Sequence, residues 1–305
     1  MIHADDAGLS WSQNKATQLG MVNGSISSTS LMVPCPWFYE MANFCLQNPH
    51  IDYGIHLTLT GEWKTYPFKP CSDPKKIPSL VNKNGYFHPN KKNVKDLAKA
   101  DDVYFELRNQ IKTALSLGLK PSHLDSHSYT LGMRQDLIDV YQQLGNDFKL
   151  PILLSRTLVS YTGQDASAFK IPDNQCFESI YMVSMNEFEN GGLASYYDKV
   201  IDNLPNGISI LLIHPALASD EMNQITIDHP NFGAKWRTAD SDYFLSTSCK
   251  EKLEKRNIEL INWKSPVIQK IFNYLFNENT SVFLGIISNN LFFSKNIFCR
   301  VCISG

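Results

Sequence analysis

The chain has 305 residues, of which 43% are apolar and 19% are charged, and its 28 basic residues nearly balance its 30 acidic ones. This composition excludes a strongly charged or disordered binding protein and gives no basic surface that favours nucleic acid, so an enzyme or a ligand-binding domain remains. The length allows two domains, although a single α/β barrel routinely reaches this size.

The N-terminus carries an acidic pair, Asp5-Asp6, of the kind found at the carboxyl end of a buried strand. Only Met1 and Ile2 precede the motif that contains this pair, which is too short a stretch for a buried strand. We therefore expect several upstream residues to be missing, together with any targeting signal. No signal peptide is visible and no apolar run reaches the ~18 residues of a membrane span. The compartment is left open, with the cytoplasm as the default.

The C-terminal part changes in composition near residue 265. Residues 265–305 are rich in Phe, Asn, Ile and Ser, which predicts an atypical tail outside a main domain formed by residues 1–264. Cys299 and Cys302 have the spacing of a redox or metal-binding pair, but a structural metal site would need two further ligands. The seven cysteines show no disulfide framework, and we expect most of them to be buried thiols.

Between the two ends, patterns typical of strands and helices alternate. The predicted strands are 26–33, 52–59, 122–126, 151–154 and 207–213, and the predicted helices are 14–23, 36–47, 101–117, 135–144 and 187–204. The connection at 60–93 is long and rich in Pro, Gly, Lys and Asn, which is typical of a lid or a substrate loop. Alternation of this kind predicts a parallel sheet, and at this length it favours closure into a (β/α) barrel.

Polar side chains follow several of these strands at the point where each strand ends. They are Asp5, Asp6, His56, Asp125, His127, Arg156 and His214. Because the carboxyl ends of parallel strands meet on one face, we expect these side chains to share one site. Structural explanations stay open for some of them. Asp5 and Asp6 could cap a helix, His214 could simply end its strand, and Arg156 could form a surface ion pair.

Four segments in chain order resemble the YdjC-like carbohydrate deacetylases. They are His-Ala-Asp-Asp-Ala-Gly-Leu-Ser at 3–10 with the Ser/Thr-rich stretch 24–32, Gly-Ile-His-Leu at 54–57, Pro-Ser-His-Leu-Asp-Ser-His at 121–127, and Ile-His-Pro at 213–215. The resemblance runs from residue 1 to about 215, and its character continues to about 263. It implies a metal-dependent enzyme that removes N-acetyl groups from amino sugars, built on an irregular (β/α) barrel.

The same resemblance implies roles for individual residues. Asp6, His56 and His127 correspond to the metal ligands, Asp5 to the general base and His214 to the general acid. Arg156 corresponds to a group that orients the base or holds the oxyanion, and His123 and Asp125 lie behind the ligands. Family members are described with magnesium, whereas two histidines and one aspartate also suit zinc. Trp37, Trp63 and Tyr129 are candidates for stacking on sugar rings.

Two departures and two alternatives qualify this interpretation. Ala7 stands where the family usually has Phe, and Ser128-Tyr129 follows His127 where chitooligosaccharide deacetylases tend to have further histidines. One alternative is a phosphoesterase-like, metal-dependent hydrolase on the same barrel, which would need several Lys or Arg at strand ends. The other is a non-catalytic carbohydrate-binding relative, which would have lost its base or a ligand. The expected partner is an N-acetylated amino sugar or oligosaccharide, without nucleic acid or membrane, and a homodimer stays open.

Overall fold

A sheet of six parallel strands forms the centre of the computed structural model, which describes residues 1–171, 177–190 and 192–272. The strands are β1 (Ile2–Ala7), β2 (Ser28–Leu31), β3 (Tyr53–Leu57), β4 (Leu124–Ser126), β5 (Ser179–Met182) and β6 (Ser209–Ile213). They lie in the order β4-β3-β2-β1-β6-β5. The parallel sheet predicted from the sequence is confirmed, and β1 lies inside it with its acidic pair.

Helices follow the strands along the chain and supply the apolar side chains that cover the sheet. They are α1 (Trp11–Asn23), α2 (Phe38–Gln47), α3 (Lys91–Leu97), α4 (Ala100–Ser116), α5 (Gln135–Phe148), α6 (Arg156–Tyr161), α7 (Met185–Glu189), α8 (Leu193–Asp202), α9 (Asp220–Ile225), α10 (Ala234–Phe244) and α11 (Thr247–Lys255). The largest apolar cluster joins Leu31 and Ile55 of the sheet to Met41 of α2, Leu107 of α4 and Leu137 of α5. This packing follows the usual arrangement of helices on a parallel sheet.

Residues 187–204, predicted to be mostly helical, are divided between two helices, α7 and α8. The break falls at Gly192, which precedes α8 with a φ of 76°, a conformation that interrupts a right-handed helix. Strand β5 and the helices α9 to α11 are not predicted from the sequence. Their hydrophobic patterns are short, because helices of 6 to 11 residues show few apolar repeats.

The sheet is open in the part of the chain that the structure describes, with β4 and β5 as its edges, so the closed barrel is not shown. The predicted strand 151–154 does lie beside β4, but only one bridge, between Leu124 and Ile152, joins them. The Tyr141 hydroxyl takes part in this pairing by donating to the Leu124 carbonyl and accepting from the Leu153 amide. The Tyr141 side chain therefore supplies hydrogen bonds that backbone groups would make in a full ladder between β4 and residues 151–154.

The C-terminal part is described only as far as residue 272. Ile268, at the start of the predicted tail, is buried beside Trp263, while residues 273–305, including Cys299 and Cys302, lie outside the described residues. Of the cysteines that are described, Cys35, Cys45 and Cys249 are buried free thiols, as predicted. None of the described helices has the length and apolarity to span a membrane.

Candidate active site

A β-bulge in β1 brings both members of the acidic pair to one site. The register between β1 and β2 shifts between Ala4 and Ala7, and Asp6 lies in the left-handed region with a φ of 65°. In a regular strand two neighbouring side chains would point to opposite faces, and a bulge re-aims one of them. The expectation that Asp5 and Asp6 follow a strand is therefore corrected, because both residues lie within β1.

Three buried side chains converge at the carboxyl end of the sheet. Asp6 Oδ1 lies 3.3 Å from His56 Nε2 and 3.0 Å from His127 Nδ1. One donor atom from each residue lies within 4.8 Å of the other two, as in a group that could hold a metal ion. His56 comes from β3 and His127 follows β4 directly, so the three residues predicted as ligands are brought together.

Each of the two imidazoles is held from behind by a carboxylate. His56 Nδ1 lies 2.8 Å from Asp125 Oδ1, and His127 Nε2 lies 3.0 Å from Glu62 Oε2. Histidines that bind metals commonly make such a bond through the second nitrogen, because it orients the ring and fixes the tautomer. Asp125 was predicted behind the ligands and lies there. Glu62 was not predicted, because it lies in the loop after β3, where no periodic pattern marks it.

A second pair, Asp5 and His214, lies beside the three converging residues. Asp5 Oδ2 is 3.6 Å from His214 Nε2, and Asp5 Oδ1 is 3.2 Å from Nε2 of the buried His3. The backbone amide of His214 donates a 2.8 Å hydrogen bond to Asp240, which holds the end of β6 in place. The residues predicted as base and acid are therefore neighbours.

Arg237, on α10, contacts Asp6 and is not among the residues predicted from the sequence. Its side chain is 1% exposed and donates to Asp6 Oδ2 at 2.7 Å. Burial opposes ionisation of Asp6, but the charges of Arg237 and His127 hold the pKa of this carboxyl well below its ordinary value. No helical period marks this arginine in the sequence, because few apolar residues repeat along α10.

We expect Arg237→Met to lower the free energy of unfolding by about 3–5 kcal/mol, because it leaves the Asp6 carboxylate buried without its partner. Adding Asp6→Asn removes that charge, so the double variant should lose less than the sum of the two single losses, by on the order of 1–3 kcal/mol. Urea unfolding of the four proteins at pH 7 in chelator measures this coupling. Losses that simply add would contradict the pairing.

The acidic side chains of the site carry more negative charge than Arg237 alone can balance. Arg237 contacts Asp6, whereas Asp5, Glu62 and Asp125 pair with histidines. Burial alone would lower the pKa of His127, but the charges of Glu62 and Asp6 raise it to about 9. The carboxylates therefore favour positive charge between them, which a divalent cation would also supply.

The pKa of His214 is shifted in the opposite direction from that of His127. Burial lowers its pKa from 6.5 to about 4, although the charges of Asp6 and Asp5 oppose this shift. The side chain is therefore neutral at pH 7 in the free protein. To donate a proton during a reaction, it must first receive one.

This lowered pKa predicts a pH dependence of stability. Above pH 6.5 both the folded and the unfolded protein hold His214 neutral, whereas between pH 6.5 and 4 only the unfolded chain takes up the proton. The contribution of His214 to the free energy of unfolding is therefore fully present above pH 6.5. As the pH falls towards 4, up to about 3 kcal/mol of that free energy is lost. Urea unfolding at pH 7 and 4.5 should show a smaller decrease for His214→Asn than for the unchanged protein. Equal decreases would place His214 in a solvent-like environment.

A cavity of about 320 Å³ opens over these groups. Its polar wall contains Asp5, Asp6, His56, Asp125, His127 and His214. The segment from the end of β3 to the first residue of α3 contributes Glu62, Trp63 and residues 89–91. Apolar side chains such as Leu158, Met182 and Phe232 form the rest. The volume is at the lower end of the range for small-molecule sites.

Two of the three aromatic residues predicted to stack on sugar rings line this cavity, but little of either is exposed. Trp63 is 4% exposed, and its ring centre lies 6.1 Å from that of His127. Tyr129 is 9% exposed, and its hydroxyl accepts a 2.9 Å hydrogen bond from the Ser155 amide. They form part of the wall, while Trp37 is not among the lining residues.

Two other predicted residues lie away from the cavity. The Arg156 guanidinium donates to the carbonyls of Ala166 and Ile171 and is not part of the lining, which leaves the position beside the acidic pair to Arg237. His123 lies behind the site, stacked on Trp263 with ring centres 4.5 Å apart. Gly54 makes room for it, because a Cβ there would lie 2.5 Å from the His123 ring.

Comparisons with known proteins identify a family and several similar proteins. A family model described as YdjC-like protein matches residues 1–255. A carbohydrate deacetylase of Thermoanaerobacter pseudethanolicus is 29% identical over 229 residues, or 75% of this chain and 85% of the relative. A carbohydrate deacetylase of Thermus thermophilus is 30% identical over 253 residues, or 80% and 84%. The crystal structure of a candidate cellobiose-phosphate cleavage protein from Enterococcus faecalis V583 shares the fold, with a TM-score of 0.68, 24% identity, and coverage of 87% of this chain and 97% of that one.

Proposed function

The chain belongs to the YdjC-like protein family, and we propose that it is a carbohydrate deacetylase, which hydrolyses the N-acetyl group of an amino sugar or oligosaccharide. The observation that carries this proposal is the convergence of Asp6, His56 and His127 beside the Asp5–His214 pair within one cavity. Amide hydrolysis needs an activated water, a polarised carbonyl and a proton for the departing amine. These two groups of residues offer candidates for all three.

The donor set fits a divalent metal ion. Asp6 Oδ1, His56 Nε2 and His127 Nδ1 would hold it, and three protein ligands leave positions open for water and substrate. When bound, such an ion polarises a carbonyl oxygen and lowers the pKa of a water molecule. Magnesium is the ion that the family resemblance implies, while the two imidazoles also suit zinc.

The chain's own residues would move the protons. Asp5 would accept a proton from the water whose oxygen bonds to the acetyl carbon. His214 would give a proton to the amine nitrogen as the carbon–nitrogen bond breaks, leaving acetate and a free amino sugar. Since His214 is neutral at pH 7, it needs a proton first, and Asp5 would supply it, because Asp5 Oδ2 lies 3.6 Å from His214 Nε2. Arg237 would keep Asp6 ionised throughout.

The two alternatives receive less support. A phosphoesterase-like hydrolase would need several cationic side chains in the cavity, whereas the lysine and arginine in its lining are Lys91 and Arg237, and Arg237 is already paired with Asp6. A non-catalytic carbohydrate-binding relative would not need the base, yet Asp5 is present beside His214.

We also propose that residues 1–264 form the catalytic domain.

Acetate release from a panel of N-acetylglucosamine mono- and oligosaccharides, with and without a chelator, tests the proposal. We expect chelator-sensitive release, and the preferred member of the panel identifies the accepted chain length. Phosphate release from a sugar phosphate is measured in parallel. Phosphate release without any acetate release would favour the phosphoesterase-like alternative, and binding without either reaction would favour the carbohydrate-binding one.

A further inference from the structure

Both carboxylate oxygens of Glu62, a loop residue, have hydrogen-bond partners within the protein. Both of its carboxylate oxygens lie within hydrogen-bond distance of His127 Nε2, at 3.1 and 3.0 Å. The hydroxyls of Thr60 and Ser128 donate to Oε1 at 2.6 and 2.9 Å. The side chain is 11% exposed, so little competing water reaches these bonds.

These contacts determine which nitrogen of His127 has a free lone pair that can bind a metal ion. A carboxylate accepts a hydrogen bond and cannot donate one when ionised, so Nε2 must carry a proton to bond with Glu62. In the neutral ring Nδ1 is then unprotonated, and Nδ1 is the atom that lies 3.0 Å from Asp6 Oδ1. Glu62 therefore favours the tautomer whose lone pair points to the metal site.

The loop that carries Glu62 also forms part of the cavity wall. Trp63 follows Glu62 directly, and Asn90 and Lys91 line the cavity near the other end of the loop. The two ends are joined by a bridge between Thr60 and His88. A substrate that contacts this wall would therefore lie one residue away from the group that holds His127.

We propose that Glu62 is a positioning residue, which orients His127 toward the metal through its direct contact with Nε2. This inference rests on the proposed function, because it assumes that Asp6, His56 and His127 bind the ion. It adds a role for a residue of the predicted substrate loop and a physical connection between that loop and the metal site.

Calorimetric titration of the chelator-treated full chain with Zn²⁺ tests this role. We expect Glu62→Ala to weaken Zn²⁺ binding by on the order of 10–100-fold. Glu62→Gln should recover most of the affinity, because its amide oxygen still accepts from Nε2–H. The matched control is Asp102→Ala, which removes a carboxylate that anchors the same loop at Ser79 without contacting His127. The control should bind Zn²⁺ like the unchanged protein.

A spectroscopic measurement adds a result that loss of structure alone would not produce. Long-range ¹H–¹⁵N spectra of the zinc-loaded protein should show His127 protonated at Nε2, with the signal altered in Glu62→Ala and retained in Glu62→Gln. Unchanged Zn²⁺ affinity in Glu62→Ala, or an equal loss in Asp102→Ala, would overturn the inference. If the unchanged protein bound no Zn²⁺, or if Asp6→Asn alone did not weaken its Zn²⁺ binding, that result would instead contradict the proposed function.

Discussion

Asp6→Asn is expected to lower kcat/KM for acetate release by on the order of 10³-fold or more, because the site loses its only proposed anionic ligand. The substitution keeps the size of the side chain but removes the charge to which His56, His127 and Arg237 are directed. Metal affinity and acetate release should therefore decrease together. Calorimetry with Zn²⁺ and an acetate assay on the same preparations measure both.

The control for this variant is Asp198→Asn, which removes a half-exposed carboxylate paired with Lys252 on the surface. It should bind metal and release acetate like the unchanged protein. If Asp6→Asn retained full activity, Asp6 would be neither a ligand nor part of the machinery.

Asp5→Asn is expected to separate catalysis from metal binding. Removing a general base typically costs about 10²–10⁴-fold, and we expect kcat to decrease within that range while Zn²⁺ affinity stays close to that of the unchanged protein. The reason is geometric, because Asp5 faces His214 and His3, whereas Asp6 faces the other two proposed ligands. Steady-state kinetics and calorimetry on the same protein provide the two readouts.

A combined loss of metal binding and kcat in Asp5→Asn would place Asp5 among the ligands. Unchanged kcat would assign the base to another residue. The pH profile of kcat/KM adds a further check, since loss of the base should remove the acidic limb of the profile that depends on it.

The meeting of His56, His127 and Asp6 could be predicted because it depends on a general property of parallel sheets. Each residue ends or closely follows a strand, and neighbouring parallel strands bring their carboxyl ends to one edge. The short motifs that resemble the YdjC-like family then gave these positions roles. Neither argument required knowledge of the strand order.

The conformation of Asp6 could not be predicted in the same way. Its positive φ belongs to a bulge, and a bulge depends on how β1 pairs with β2 across the sheet. The local sequence shows two adjacent acids, a pattern that equally fits a loop after a strand. The pairing partner, not the pattern, decided between these conformations.

Contacts between distant parts of the chain account for the other omissions. Arg237 and Asp6 are 231 positions apart, and Glu62 and His127 are 65 apart, so no local spacing connects them. The buried arginine of α10 is recognisable once the helix is known, but no helix is predicted there from the sequence. Arg156 follows a predicted strand, which places it among the candidates, and its side chain instead binds backbone carbonyls nearby.

Metal titration of acetate release tests the central claim most directly. The chelator-treated chain is mixed with an N-acetylglucosamine oligosaccharide and titrated with Mg²⁺ or Zn²⁺ while acetate is measured. We expect activity to return and to saturate at one ion per chain in the unchanged protein, and not to return in Asp6→Asn. Full acetate release by the chelator-treated protein, with no ion bound, would contradict it.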